Sequence, residues 1–273
     1  IVPRYAETEA PRQRTLRIVE VVRETERALT VRLADPGGAL SFVAGQFLTL
    51  LIDRGGRQER RSYSLSSSPL DGPTATITIQ RIEGGRLSPF LFETLRAGST
   101  VDVVGPAGLF VAPKADAPRH LVLIAGGSGI TPIASIAETT LRTEPGTRVT
   151  IVHGSRDAGD VIFRARLDAL VARHPGRTRL VRLLERGGEA SGDATARAGR
   201  PDAPTIDALV HELALCARLP GEDAPRFFVC GPAPMMTAAR NTLSAHGVPR
   251  ARLHEERFHS PGAAPVDASL PTG

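Results

Sequence analysis

The apolar pattern of this chain changes period once, near residues 113–118, and that change limits the fold more than any other feature. Before it, short apolar runs at Leu16–Val19, Leu29–Leu33, Phe47–Ile52, Thr76–Ile79 and Thr100–Val104 are separated by turn residues. The breakers are Asp35-Pro36-Gly37-Gly38, Arg54-Gly55-Gly56-Arg57, Asp71-Gly72-Pro73 and Gly105-Pro106. This spacing predicts an antiparallel β barrel. One helix over Ser88–Arg96, with apolar residues at 87, 90, 91 and 95, can cover a barrel end. After the change, strands Leu121–Ala125, Val149–His153, Arg179–Leu184, Phe227–Cys230 and one near Arg252–Phe258 alternate with helices Pro132–Arg142, Val161–Arg173, Thr205–Arg218 and Pro234–His246. Alternating apolar strands and helices predict a doubly wound parallel sheet, so the fold class is β barrel plus α/β.

The 273 residues suffice for two cores, and we divide them into domains at 1–115 and 116–258. Residues 259–273, rich in Ser, Pro, Gly and Ala, read as a linker-like or disordered tail. Glu185–Pro204 and Pro220–Pro225 read as surface excursions. No apolar run is long enough to span a bilayer, and Ile1-Val2-Pro3-Arg4 lacks a signal-peptide pattern, so a cytoplasmic protein without a membrane span is expected. The chain does not begin with Met and can have lost residues.

Only Cys216 and Cys230 are present, which excludes a four-thiolate iron–sulfur cluster or zinc site inside this chain; no metal site is expected. The net charge is +5, but Lys114 is the only lysine, the arginines are scattered beside acids, and aromatics are 4%. A nucleic-acid groove needs a basic stripe with stacking aromatics, so a nucleic-acid partner is not expected.

Gly126-Gly127-Ser128-Gly129-Ile130-Thr131-Pro132 follows a strand and opens a helix, the context in which a glycine-rich turn brings backbone N–H groups to a phosphate. Thr131 reads as the helix N-cap and Pro132 as the first helical residue. A tight, well-capped turn without a ligand is the plain alternative, and Pro132 stands where the dinucleotide fingerprint has its third glycine. Ser155 and Arg156 follow the next strand and, with Arg164 or Arg166, could hold the 2′-phosphate of NADPH; a solvated loop arginine is the alternative. Cys230-Gly231-Pro232 ends another buried strand at the same sheet edge, although a buried strand thiol can be core alone. In the barrel half, Arg61 could pair with a phosphate, Tyr63 could stack on an isoalloxazine ring and Ser64 could hydrogen-bond to it. Strand alternation alone would also turn Tyr63 inward. Gly84-Gly85-Arg86-Leu87-Ser88 supplies a second glycine turn entering a helix.

Seven segments, in order, carry a family resemblance: Arg61 to Ser67, Gly84 to Ser88, Pro106-Ala107-Gly108-Leu109-Phe110, Gly126 to Pro132, Gly154-Ser155-Arg156 with Ile162-Phe163-Arg164, Cys230-Gly231-Pro232 with Met235, and Glu256-Arg257-Phe258. From about Leu16 to Phe258 the chain resembles the ferredoxin-NADP reductase superfamily, and within it the reductase components of bacterial oxygenase systems, such as phenylacetyl-CoA epoxidase and ketosteroid hydroxylase reductases. The resemblance implies an FAD-binding barrel at 1–115 and an NAD(P)-binding α/β domain at 116–258. It implies that Arg61, Tyr63 and Ser64 bind flavin, that Ile79 and Arg81 line the same groove, and that Gly85, Arg86, Leu87 and Ser88 cradle the FAD pyrophosphate. Gly127, Gly129, Thr131, Pro132, Gly231, Pro232 and Met235 would take the dinucleotide, with Ser155, Arg156 and Arg164 at its adenosine end. Ser64, Cys230 and Glu256 would be the catalytic group, Glu256 beside the flavin; an exposed strand carboxylate is the alternative, and adjacent Glu255 leaves the register open.

The implied reaction takes hydride from NADPH or NADH onto FAD and passes single electrons to an iron–sulfur ferredoxin-like domain or protein that feeds an oxygenase. The oxygenase reductases it resembles continue, after a linker, into an iron–sulfur domain, so that domain is expected either to have been lost from this sequence or to be a separate protein. A stand-alone ferredoxin or flavodoxin reductase, or a non-catalytic flavin- or nucleotide-binding regulatory subunit, uses the same fold.

Overall fold

The computed structural model describes residues 11–188 and 192–258, so the tail expected at 259–273 lies outside the described residues. Six strands, β1 (Arg12–Thr25), β2 (Ala28–Ala34), β3 (Phe47–Arg54), β4 (Arg57–Ser64), β5 (Thr74–Gln80) and β6 (Thr100–Ala107), form one antiparallel sheet in the order β4-β3-β6-β1-β2-β5. The sheet curls until its two edges meet: Leu65, just past β4, bridges Ile77 of β5, and Ser66 N–H donates to the Thr76 carbonyl at 2.7 Å. Inward positions such as Leu16, Ile18, Leu48, Leu50, Ile77 and Ile79 are fully buried and fill the barrel. Each contributes about 1.5–3 kcal/mol by leaving water. Helix α1 (Ser88–Thr94) closes one end with Leu87, Leu91 and Leu95. It stops two residues before the expected Arg96 because Leu95 is extended.

The second sheet is parallel. Strands β7 (His120–Gly126), β8 (Arg148–Ser155), β9 (Thr178–Leu184), β10 (Ala196–Ala198), β11 (Arg226–Gly231) and β12 (Leu253–Arg257) lie in the order β10-β9-β8-β7-β11-β12. Helices α2 (Ile130–Thr143) and α3 (Arg164–Arg173) cover one face, α4 (Ala203–Glu212) and α5 (Ala233–Ala245) the other. On β7, Leu121 and Leu123 face the first pair while Val122 and Ile124 face the second, so every strand residue is buried. The strand order reverses between β7 and β11, and ligands of such sheets collect beyond the carboxyl ends at that reversal.

Several expected boundaries move. A 3-10 turn over Gly127–Gly129 runs straight into α2, so the helix starts at Ile130, Gly129 is its N-cap, and Thr131 is not the cap. Helix α3 starts at Arg164 rather than Val161 because Phe163 takes a left-handed φ of 62°. Helix α4 starts earlier than Thr205, capped by Asp202, and ends at Glu212 rather than Arg218, ahead of left-handed Ala214. The excursion at 185–204 contributes β10, an edge strand paired with β9. No helix among the described residues is long and apolar enough to cross a membrane.

The two sheets are tied together by polar struts. Ser135 Oγ donates to the Ser67 carbonyl at 2.6 Å, and Arg166 reaches the Ser66 carbonyl at 2.7 Å while holding both oxygens of Glu138 at 2.8 and 2.7 Å. Arg142 donates to Asp71 at 2.5 Å, and the Ser68 and Thr139 hydroxyls meet at 2.8 Å. Ala28, Ala44 and Phe110, before the parallel sheet in sequence, are buried in the core on its α2 face.

Candidate cofactor site between the two sheets

A groove opens where the end of β4 faces the carboxyl edge of the parallel sheet. Arg61, Ser62, Tyr63 and Ser64 form one wall, Thr78, Gln80 and Ile82 the floor, and Gly85 to Ser88 one end; Ser128, Thr131 and Phe258 come from the far side. Tyr63 is half-buried, packed against the barrel core on one side with the groove on the other. Burial pushes its phenol up to about 12, partly offset by the Arg61 charge. Among the described residues the Arg61 guanidinium makes one hydrogen bond, to the Arg60 carbonyl at 2.7 Å, which leaves N–H donors for an anion. Ser88 Oγ accepts from the Ile82 N–H at 3.0 Å, so its own hydrogen remains to be given. Arg86 is exposed, 3.6 Å from Glu59, and Leu87 turns its side chain into the barrel core.

The far wall is built on glycines. A Cβ on Gly129 would lie 2.0 Å from the Cys230 carbonyl, so the turn after β7 rests directly on the end of β11. Thr131 Oγ1 donates to the Ser128 carbonyl at 2.9 Å from inside the first helical turn. Met235 packs between the two strand ends, and a Cβ on Gly126 or Gly231 would lie 2.7 or 2.6 Å from it. Pro232, capping α5, touches the same point, so Met235 and Pro232 shape the wall from behind. Pro132 is buried in the first turn of α2.

Ser64, Cys230 and Glu256 converge. Cys230 on β11 pairs with Glu256 on β12, and the Glu256 carboxyl points back toward Ser64. Burial raises this carboxyl to about 7 against a slight lowering by the Ser64 hydroxyl. Burial first, and the Glu256 charge second, push the Cys230 thiol well above its usual range. Ser64 Oγ and Glu256 Oε2 are buried next to each other, with no hydrogen-bond partner outside this pair among the described residues. Ser64 also lines the groove, so this pair, with no other partner, puts a polar edge beside it that fits a polar ligand edge. The donor set therefore fits a flavin on the barrel side and a dinucleotide on the sheet side. Glu255 instead holds Arg240 at 3.2 Å and Arg250 at 3.3 Å, which settles the register.

Other expected site residues stand elsewhere. Ile79 is fully buried in the barrel core, because β5 alternates and only Thr78 and Gln80 reach the groove. Arg81 lines a separate cleft of about 670 Å³ with Arg27, Asp157 and Arg186. Ser155 is buried, with Oγ 3.5 Å from His153 Nε2, whereas Arg156 is exposed and 4.0 Å from Asp160. Arg164 pairs with Asp193 at 3.3 Å and Arg166 serves the Glu138 strut, so these four do not form one phosphate pocket. Thr78, Gln80 and Ile82 were not expected, and the two-residue alternation through Ile77 and Ile79 carried the signal for all three; Ser128 comes from the expected glycine turn.

Residues 14–111 match the oxidoreductase FAD-binding domain and residues 123–241 the oxidoreductase NAD-binding domain. The chain is 36% identical over 252 residues to a component of the 1,2-phenylacetyl-CoA epoxidase of Escherichia coli K12, covering 91% of this chain and 68% of that one. It is 37% identical over 261 residues to the ferredoxin reductase component of 3-ketosteroid-9-alpha-monooxygenase from Mycolicibacterium smegmatis, covering 93% and 67%. The Amycolatopsis cytochrome P450 reductase GcoB superposes with a TM-score of 0.77 at 29% identity, over 92% of this chain and 71% of that one. Barrel and parallel sheet thus carry an FAD-binding and an NAD-binding domain with the groove between them, and the chain belongs to the ferredoxin-NADP reductase-like family as an NAD(P)H-dependent FAD reductase.

Proposed function

We propose that this protein passes electrons from NAD(P)H, through FAD, to an iron–sulfur ferredoxin-like domain or protein that feeds an oxygenase, in the cytoplasm where the nucleotide is supplied. The observation that carries this reading is one groove lined by Arg61, Tyr63, Ser64 and Gly85 to Ser88 from the barrel and by Ser128 and Thr131 from the parallel sheet, with buried Glu256 beside Ser64 and paired with Cys230. Bound FAD accepts two electrons together and releases them singly, which is the chemistry such a chain needs. Arg61 and Arg86 hold phosphate by charge, and Gly85 and Ser88 offer the backbone and hydroxyl contacts beside them. Tyr63 gives the ring system a flat wall, and Ser64 offers a hydroxyl at its edge. Gly127, Gly129 and Thr131 hold the dinucleotide against the end of β11, where the Cys230 thiol is buried and burial keeps it uncharged. With its carboxyl raised to about 7 by burial, Glu256 exchanges a proton near neutral pH at a position beside the Ser64 hydroxyl, which donates to the charged form.

The partner assignment is supported by the names of the relatives, of which this chain spans about two thirds. The test is anaerobic reduction of the FAD-reconstituted protein by NADPH and by NADH, followed by addition of a two-iron ferredoxin. The flavin should bleach and the ferredoxin should reduce. Protein that stays colourless after reconstitution overturns the reading, and bleaching with transfer to flavodoxin but not to ferredoxin moves it to a stand-alone reductase. FAD that binds without turnover identifies a regulatory subunit. Arg61→Ala should weaken FAD binding by about 10–100-fold, the size of a lost charged hydrogen bond. Cys230→Ala should slow flavin reduction with FAD still bound, measured by stopped flow.

A further inference from the structure

One peptide unit of the dinucleotide turn is held from both sides. The Gly127 carbonyl accepts from His153 Nε2 at 3.2 Å, beneath the turn, while the Ser128 N–H donates to Gln80 Oε1 at 3.2 Å, across the groove on the barrel. A trans peptide points its C=O and N–H in opposite directions. Drawing the carbonyl into the sheet therefore aims the N–H out at the groove. Gly127 has φ +53°, and a glycine in the turn leaves this peptide free to rotate the other way unless something selects its orientation.

His153 has the features of a selector. It is fully buried near the carboxyl end of β8, and burial holds its imidazole neutral, with a pKa down to about 4. A carbonyl only accepts, so Nε2 carries the hydrogen and Nδ1 is a bare acceptor. That Nδ1 is buried without a partner. An aliphatic side chain would fill the space without this unsatisfied atom, so packing alone does not account for the imidazole. The other contact of Nε2 is Ser155 Oγ at a longer 3.5 Å. Gln80 is a long amide from the facing barrel, and Ser128 is its one side-chain hydrogen-bond partner among the described residues.

We infer that His153 is a positioning residue for nucleotide binding: by fixing the Gly127 carbonyl it presents the Ser128 N–H to an oxygen of the bound nicotinamide dinucleotide, and Gln80 Oε1 keeps that place until the nucleotide arrives. The inference rests on the reading of this groove as the dinucleotide site.

The test is calorimetric titration of the oxidised, FAD-loaded full chain with NADP+ and NAD+, for wild type, His153→Leu, His153→Gln and Gln80→Leu. His153→Leu should weaken binding about tenfold, the loss expected for one oriented hydrogen bond, with KM rising in parallel and no fall in melting temperature. The rate at saturating nucleotide should fall by no more than about threefold, the pattern of lost ground-state binding. His153→Gln, which restores an N–H donor, should recover most of the affinity. Gln80→Leu should bind as tightly as wild type or tighter, because a competitor has gone. Affinity unchanged in His153→Leu, or His153→Gln as weak as His153→Leu, overturns the role of His153. Weakening in Gln80→Leu overturns the placeholder. Wild-type protein that binds neither nucleotide overturns the reading of the groove itself and this inference with it.

Discussion

Glu255 and Glu256 are adjacent, and strand β12 sends them to different places. Glu255 meets Arg240 and Arg250, where its charge is compensated, and Glu256 enters a buried site beside Cys230 and Ser64 with no basic partner among the described residues. Burial raises the folded-state Glu256 carboxyl from 4.5 to about 7, so between these values the folded state holds a proton that the unfolded state has released. Stability from this group is therefore lost as pH rises through that window, by an amount on the order of 3 kcal/mol when complete. His120 and His153, held neutral down to about 4, act with the opposite sign, gaining stability as pH rises toward the ordinary imidazole value. The difference between Glu256→Gln and wild type isolates the carboxyl. In urea unfolding of the FAD-free protein, the variant should gain about 2–3 kcal/mol on wild type between pH 5 and pH 8. A difference that stays constant across that range would mean the carboxyl ionises freely in the fold. At this scale the motif Glu256-Arg257-Phe258 was legible in the sequence, but which of two neighbouring carboxylates faces the groove was not, because that depends on pairing with a strand more than twenty residues earlier.

Elements were legible where their apolar pattern was strong. The parallel strands, buried on both faces, read as unbroken apolar runs, and α2 and α5 followed from helical spacing. Strand β4, Arg-Gln-Glu-Arg-Arg-Ser-Tyr-Ser, sits at a sheet edge and is mostly exposed, so it carries almost no apolar signal although it forms a wall of the groove. Strand β10 has three residues and no buried one. Ile79 was assigned to the groove and lies in the core because a motif does not state which of two faces a strand residue takes. The turn before α2 was legible as a glycine turn, but its direct seating on β11 was not, and that seating makes two of its glycines unequal. Gly129→Ala places a Cβ 2.0 Å from a backbone carbonyl that cannot move without shifting β11. It should cost about 3 kcal/mol or more and abolish nucleotide binding while FAD uptake persists. Gly127→Ala meets only Gln80 Oε1 at 3.4 Å and a φ of +53°, and should cost about 1–2 kcal/mol. Urea unfolding with nucleotide titration separates the two, and equal stabilities would contradict the seating of the turn on β11.

For the whole molecule, the arrangement of the two sheets matters as much as either one, since the reaction needs a flavin held by the barrel and a nucleotide held by the parallel sheet in ordered contact. Three features oppose independent movement. Ala28, Ala44 and Phe110 are buried in the core beneath α2, Ser135 donates to the Ser67 carbonyl, and Arg166 joins Glu138 to the Ser66 carbonyl. Sharing a core couples the unfolding of the two halves, because opening the junction exposes apolar surface and strands the Glu138 carboxylate, which is only 10% exposed. Calorimetry of the FAD-free protein should therefore give one cooperative endotherm. Arg166→Leu removes all three hydrogen bonds of the strut and, at this partly exposed position, should lower stability by about 1–3 kcal/mol. It should also slow flavin reduction by NAD(P)H more than it weakens FAD binding, since the barrel groove itself is untouched. FAD at 100 times its dissociation constant adds about 2.7 kcal/mol to the folded state, and in a coupled molecule that stabilisation raises the single transition. In an uncoupled one it raises the barrel alone. Two resolved wild-type endotherms, only one of which moves with FAD, would show that the shared core and the struts do not unite the halves, and the ordered contact would then have to be imposed by the bound nucleotide.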